Sequence, residues 1–301
     1  MPVTPDWPQA ADWPDAAWLR SWWPLPAPLD AAELGSGLRI VDADGRAWHL
    51  KRREPGRLVG ELFVLAQLAT AGVPVTLPAT TRDGLLEVER DGLAYWLYPE
   101  IEGTPLAQRP ALADGATRVT WRRLGEAAAD LQRQLRRIDP DEARLNGVPV
   151  RHESVAPAPI GVQVIHGDMH AGNVLFVEGR VSGYLDFDHL TLGPRLVDPC
   201  YASGALLARL MEVGGEVEQR WLELTGELFR GWCASWAAPG QAVSDEELDA
   251  VPATFVEIEA DFRAWLVDTG DTDGVALTDA MVEVVRRRAD DLVAAVGAAS
   301  R

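Results

Sequence analysis

Between residues 34 and 98 the apolar positions come in short alternating runs broken by turn residues. Leu38–Val41 and Ala47–Lys51 flank Asp42-Ala43-Asp44-Gly45, and Leu85–Glu89 and Leu93–Tyr98 flank Asp91-Gly92. Alternation of period two around Asp and Gly predicts hairpins of a small sheet. Between the hairpins Leu58, Leu62, Leu65 and Ala69 recur at helical spacing and stop at Gly72 and Pro74, which predicts one helix crossing the sheet. Residues 1–28 interleave Pro and Trp, as in Asp12-Trp13-Pro14 and Trp22-Trp23-Pro24, with a short helix predicted from Asp15 to Trp22. Large aromatics bury much apolar area, so this leader is expected to clamp onto the body.

After Pro99-Glu100-Ile101-Glu102-Gly103 the period lengthens. Trp121, Leu124, Ala128, Leu131, Leu135 and Ile138 share one helical face that Asp139-Pro140 ends. Ser244 and Glu247 have the spacing of a capping box. Phe255, Ile258, Phe262 and Leu266 then line a helix, as do Met281, Val285, Ala289, Leu292 and Val296 near the C-terminus. The pattern predicts an α+β chain: an N-terminal lobe over 1–98, a hinge at 99–103, and a helical C-terminal lobe over 104–301. Strands at Gln163–Ile165, Val174–Val177 and Val181–Leu185 are its only expected interruptions.

A length of 301 residues suits two modest cores. No window of eighteen uncharged apolar residues occurs, which excludes a membrane-spanning helix. The start Met1-Pro2-Val3-Thr4-Pro5-Asp6-Trp7 has neither a basic stretch nor an apolar run behind it, so a cytoplasmic protein is expected. Cys200 and Cys233 are too few for a disulfide framework or metal cluster and are read as buried thiols. A formal charge of -18 repels nucleic acid and anionic membranes and would draw in a cationic substrate. The expected partner is a small molecule, and the expected assembly a monomer or homodimer.

The candidate chemistry lies in His166-Gly167-Asp168-Met169-His170-Ala171-Gly172-Asn173, followed thirteen positions later by Asp186 in Leu185-Asp186-Phe187-Asp188. Phosphoryl transfer leaves little covalent work to a protein, and needs an aligned acceptor hydroxyl and charge spread onto metal. Asp168 is the candidate base. Asn173 and Asp186 supply oxygen ligands suited to magnesium, a hard cation. His166 and His170 lie four apart without the compact helix of a zinc pair, and His166 is read as a brace of the loop. On the predicted sheet, alternation puts His49 and Lys51 on one face and Trp48 and Leu50 on the other. Lys51 is the candidate for the α- and β-phosphates, with Glu61 on the following helix as its ion-pair partner.

These residues resemble the aminoglycoside phosphotransferase, choline kinase and type II homoserine kinase superfamily. The likeness runs through His166–Asn173, Leu185–Asp188, Gly193-Pro194-Arg195-Leu196-Val197-Asp198-Pro199, Lys51, and Ala71-Gly72-Val73-Pro74 after Glu61. It implies a two-lobed, protein-kinase-like fold with Asp168 as base, Asn173 and Asp186 on Mg2+, and Asp198 supporting the catalytic loop. It also implies a nucleotide, ATP or else GTP, set against Tyr98, Pro99, Glu100 and Ile101. Two departures stand out: the glycine loop is reduced to Gly35-Ser36-Gly37, and His49 replaces the small aliphatic residue that packs on adenine.

Two rivals can be weighed. Only eleven residues separate Asp186 from Asp198, leaving no room for the activation segment of a protein kinase. A non-catalytic nucleotide-binding regulatory protein of the same fold is the alternative, and the joint presence of Asp168, Asn173, Asp186 and Lys51 argues for turnover. The expected acceptor is a hydroxyl of an amino alcohol, an amino sugar or homoserine. Acids beyond residue 200 (Glu212, Glu216, Glu218, Glu257, Glu259 and Asp261) are candidates to meet its amine, with Glu257 and Asp261 four apart on one helix.

Overall fold

A computed structural model describes residues 13–34, 37–56, 58–106, 115–151, 161–238 and 241–299. Gly35 and Ser36 of the reduced glycine loop lie outside it, as do residues 1–12 of the leader. The chain divides into two compact units, residues 1–102 and 103–301.

The first unit is an antiparallel sheet with a helix between its third and fourth strands. Strands β1 (Asp30–Leu34), β2 (Gly37–Val41), β3 (Ala47–Arg53), β4 (Val88–Arg90) and β5 (Leu93–Pro99) pair in the order β1-β2-β3-β5-β4. The register sets Leu50 opposite Leu38 and Leu97, and His49 opposite Tyr98. Alternation therefore sends Leu38, Ile40, Leu50 and Leu97 into one core with Leu19, Trp23, Leu25 and Leu29 of the leader. Helix α1 (Ala16–Trp22) starts where the Asp15 carboxylate accepts the Trp18 N–H at 2.7 Å. Trp18 meets Tyr95 edge-on at 5.4 Å, and the buried Trp23 indole donates to the Ala79 carbonyl. The described part of the leader is clamped to the sheet, as its aromatics predict.

Two details differ from the sequence pattern. Strand β1 was not foreseen, because Asp-Ala-Ala-Glu-Leu is mostly exposed and carries neither alternation nor β-branched residues. Helix α2 (Leu58–Thr70) turns Glu61, Val64, Leu65 and Leu68 inward, whereas Leu62 and Ala69 are half-buried. The helix is apolar nearly all round, so its spacing alone does not select a face.

In the second unit β6 (Thr104–Pro105), β8 (Val174–Val177) and β9 (Arg180–Tyr184) form one small sheet, and β7 (Gln163–Ile165) pairs with β10 (Thr191–Gly193). The two-residue β6 and three-residue β10 add to the expected strands and are too short to leave a periodic signal. Helix α3 (Gly115–Leu135) buries Trp121, Leu124, Ala128, Leu131 and Leu135. It stops one turn before the expected end, and Asp139 instead caps α4 (Pro140–Leu145), accepting the Asp141 N–H. Then follow α5 (Val197–Val213), α6 (Val217–Ser235), α7 (Asp245–Asp249), α8 (Val251–Thr269), α9 (Thr272–Arg287) and α10 (Ala289–Ala299). The Ser244–Glu247 capping box is present at α7. The face read from Met281 to Val296 is split between α9 and α10 at Arg288, and Phe262 on α8 is 44% exposed rather than core. An N-terminal β-sheet lobe and a mainly helical C-terminal lobe give the two-lobed, kinase-like α+β fold. Among the described residues no helix is long and apolar enough to cross a membrane.

Candidate active site

The loop between β7 and β8 is tied from both sides. His166 is fully buried; its Nε2 lies 2.8 Å from the Leu185 carbonyl, and its Nδ1 accepts the Asp168 N–H at 3.3 Å. That pairing places the ring proton on Nε2, and the Phe187 ring packs against the imidazole at 4.7 Å. His166 is thus a brace with both nitrogens engaged. Gly167 has φ of 79°, and a Cβ there would run into the His189 carbonyl, so only glycine fits this turn.

Asp168, 8% exposed, is held by Asn173, whose Nδ2 donates to both the Asp168 carbonyl and Oδ2 at 2.9 Å. With its amide nitrogen spent on Asp168, Asn173 keeps Oδ1 as an oxygen donor. The Leu185 N–H donates to the Asn173 carbonyl at 2.9 Å, which brings Asp186 next to this pair. Asp186 follows in the left-handed region, φ 60° and ψ 65°, a conformation that costs a non-glycine residue energy and is met at functional turns. Asp168, Asn173 and Asp186 therefore gather at one end of the β8–β9 hairpin. His170 Nδ1 accepts the Gly172 N–H, and its Nε2 stands 3.7 Å from Asp168 Oδ1. Among the described residues no three His, Cys, Asp or Glu side chains form a metal cluster. Magnesium shared with phosphates needs only one or two protein carboxylates, so Asp186 with Asn173 Oδ1 is a fitting donor set.

The loop hangs from Asp198, at the start of α5 and fully buried. Asp198 Oδ1 accepts the Gly167 N–H at 2.9 Å, and Oδ2 accepts the His166 N–H at 3.3 Å and Gln132 Nε2 at 2.8 Å. Burial drives its carboxyl upward from the usual range, opposed by His166 and by these donors. Gln132 also donates to the Arg195 carbonyl, and its Oε1 accepts the buried Trp232 indole at 2.8 Å. A chain of hydrogen bonds thus runs from α6 through α3 to the loop. The sequence reading missed Gln132 and Trp232; a polar residue set among Ala128, Leu131 and Leu135 on an apolar stripe was the available sign. It also missed Tyr201 on α5, which lies in the field of Asp168 and whose ring stacks on His170 at 6.5 Å.

In the N-terminal unit Lys51 and His49 share the face opposite the core, as alternation requires. The Lys51 Nζ lies 5.9 Å over the Tyr98 ring, and the Tyr98 hydroxyl donates to Glu61 Oε1 at 3.0 Å. Tyr98 therefore links the strand carrying Lys51 to the helix carrying Glu61. Glu100 is gripped by Arg39 through two bonds of 2.6 and 3.0 Å and lies 3.0 Å from His49 Nε2. Arg39 holds the Glu100 carboxyl below its usual range, while burial pulls the His49 imidazole down. The Glu100 N–H is spent on the Ala47 carbonyl and Pro99 has none, so of the 99–101 segment Ile101 keeps the backbone donor expected to meet a base. Gly37 opens β2 opposite Leu34, and a Cβ there would stand 3.1 Å from the Leu50 carbonyl.

Fold and loop together define a chain of the two-lobed, kinase-like class. The sequence model of the phosphotransferase enzyme family matches residues 150–238, the stretch that carries the loop, Asp186 and Asp198. No curated protein matches. Among solved structures, an amicoumacin kinase in complex with AMP-PNP, Ca2+ and Ami is 14% identical, with a TM-score of 0.66 over 92% of this chain and 93% of that one. A spectinomycin phosphotransferase in complex with ADP and spectinomycin is 12% identical, with a TM-score of 0.58 over 94% and 96%. The macrolide 2'-phosphotransferase of Brachybacterium faecium is 18% identical, with a TM-score of 0.52 over 85% and 91%. At such identities the structural likeness is one of fold. The family model thus matches the stretch around the loop, and the solved structures extend a likeness of fold over most of the chain.

Proposed function

We propose that this protein is a magnesium-dependent kinase that moves the γ-phosphoryl group of ATP to a hydroxyl of a small molecule. The observation that carries the reading is the Asp168–Asn173 pair: one amide fixes the carboxylate and keeps its own oxygen available, with Asp186 next in the chain of contacts. Asp168 orients the acceptor hydroxyl and takes its proton as the acceptor oxygen bonds to the γ-phosphorus and ADP leaves. Asp186 and Asn173 Oδ1 are assigned to Mg2+, which when bound neutralises charge on the β- and γ-phosphates. Lys51, oriented by Glu61 and Tyr98, is assigned to the α- and β-phosphates. Ile101, with Tyr98, Pro99 and Glu100, is assigned to the base. Gly37 with Gly35 would cover the phosphates, and His49 would flank the ring.

The spacing between Asp186 and Asp198 favours a small acceptor over a peptide, and three of the similar structures are named as kinases or phosphotransferases of antibiotics. Supporting the cytoplasmic setting, Cys200 and Cys233 are free and buried.

Replacing Asp186 with alanine is the test of this reading. Calorimetry should show ATP affinity in the presence of Mg2+ falling about tenfold or more, with the magnesium dependence of binding abolished. Wild-type affinity with full magnesium dependence would remove Asp186 from the metal and the reading with it. Lys51→Ala should lower kcat/KM for ATP by about 10- to 100-fold, the value of one charge-assisted phosphate contact. An unchanged kcat/KM would make Lys51 a bystander of the sheet.

A further inference from the structure

Both ring nitrogens of His166 are engaged by the backbone, whereas His170 spends only its Nδ1 in that way, accepting the Gly172 N–H at 2.9 Å. An accepting Nδ1 carries no proton, so the neutral ring holds its proton on Nε2. Gly172 makes room for this arrangement. A Cβ there would stand 2.7 Å from His170 Cε1 and 2.9 Å from Nδ1, and would push the ring away. Gly172 is not among the glycines of positive φ, so it is the imidazole and not the backbone that calls for glycine at this position. The Tyr201 ring of α5 stacks on the same imidazole, 23° from parallel. A half-exposed histidine is thus fixed by a hydrogen bond and a stack, with one N–H left over.

That N–H stands across a gap from Asp168. Nε2 lies 3.7 Å from Asp168 Oδ1, beyond the limit of about 3.2 Å for a direct hydrogen bond. Asn173 Nδ2 occupies Oδ2, so Oδ1 is the oxygen left for an acceptor. One hydroxyl oxygen set about 2.8 Å from both Nε2 and Oδ1 would bridge them, accepting from the first and donating to the second. A hydroxyl seated there has one lone pair on His170 and its proton on Asp168. Its second lone pair remains for the phosphorus.

We propose that His170 is a second catalytic residue of the loop, a hydrogen-bond donor that seats the attacking hydroxyl together with Asp168 Oδ1. The proposal rests on the kinase reading and deepens it: Asp168 fixes the distance of the hydroxyl, and His170 fixes its rotation about that contact. The hydroxyl oxygen bonds to the γ-phosphorus as the bond from that phosphorus to the β–γ bridging oxygen breaks. ADP leaves with the electron pair and the proton passes to Asp168 Oδ1. His170 keeps its proton throughout, so its contribution is orientation.

Two substitutions separate the donor on Nε2 from the acceptor on Nδ1. His170→Asn places an amide oxygen near the Nδ1 position, keeping the bond to Gly172 and removing the donor. His170→Gln reaches the Nε2 position with an amide N–H and restores the donor. Water serves as the acceptor, because in the seat it makes the same two contacts. Mg-ATP hydrolysis is measured with the Kd for Mg-ATP by calorimetry and with Tm. His170→Asn should lower kcat by about 10- to 100-fold, the value of one orienting hydrogen bond, and leave Kd within about twofold and Tm within about 2 °C. His170→Gln should recover most of the lost kcat. An Asn variant with wild-type kcat, or a Gln variant no faster than the Asn variant, overturns the proposal. A fall in Mg-ATP affinity or in Tm that matches the lost turnover overturns it too, since it makes His170 a nucleotide contact or a structural group. Failure of the kinase reading looks different and takes this proposal with it: wild type itself would neither bind nor hydrolyse Mg-ATP.

Discussion

Asp168→Ala is expected to lower kcat for phosphotransfer by about 10^3-fold while leaving the Kd for Mg-ATP within about twofold of wild type. The split follows from the geometry. Asp168 is fixed by Asn173 Nδ2 on one oxygen, so it is oriented before any acceptor arrives. Removing it takes away the acceptor's proton sink and leaves the proposed metal ligands, Asp186 and Asn173 Oδ1, in place. Steady-state kinetics with calorimetry on the same preparation decides the matter. Retained turnover would end the base assignment, and a matching loss of nucleotide affinity would make Asp168 a metal ligand instead.

The second large effect is expected at a residue that touches neither substrate. Asp198→Ala strands the N–H groups of His166 and Gly167 and the Gln132 amide inside the protein. At about 1–2 kcal/mol for each buried donor left unpaired, the loss is about 4 kcal/mol. For a unit of this size that lowers Tm by on the order of 10 °C. The loop would lose its tether at the same time, so kcat should fall well below wild type even at temperatures where the variant is folded. Scanning calorimetry and kinetics at low temperature measure the two parts. A variant with wild-type Tm and kcat would show that Asp198 supports nothing.

The closeness of Asp168 and Asn173 was legible in the sequence because it is local. His166, Asp168 and Asn173 lie within one turn of chain, and the strands on either side fix which way they point. Alternation alone placed His49 and Lys51 on one face of β3. What escaped was set by distant packing. Gln132 and Trp232 are a hundred positions apart, and nothing in α3 announces that a glutamine will be sealed beside Asp198. Glu259 was one acid among many beyond residue 200. The i, i+4 spacing drew attention to Glu257 and Asp261, but Phe255 and Ile258 turn inward and carry Glu259 with them. Strand β1 and the inward face of α2 escaped for a related reason, since one lacks alternation and the other is apolar nearly all round.

Helices α3 and α6 approach so closely that a Cβ on Gly125 would run into the Leu228 carbonyl, and one on Gly231 into the Arg122 carbonyl. Gln132 and Trp232 ride on these same two helices. The spacing of that seam is therefore passed on to Asp198, and so to the loop beneath it. Two glycines well away from Asp168 thus set the spacing on which the position of its loop depends.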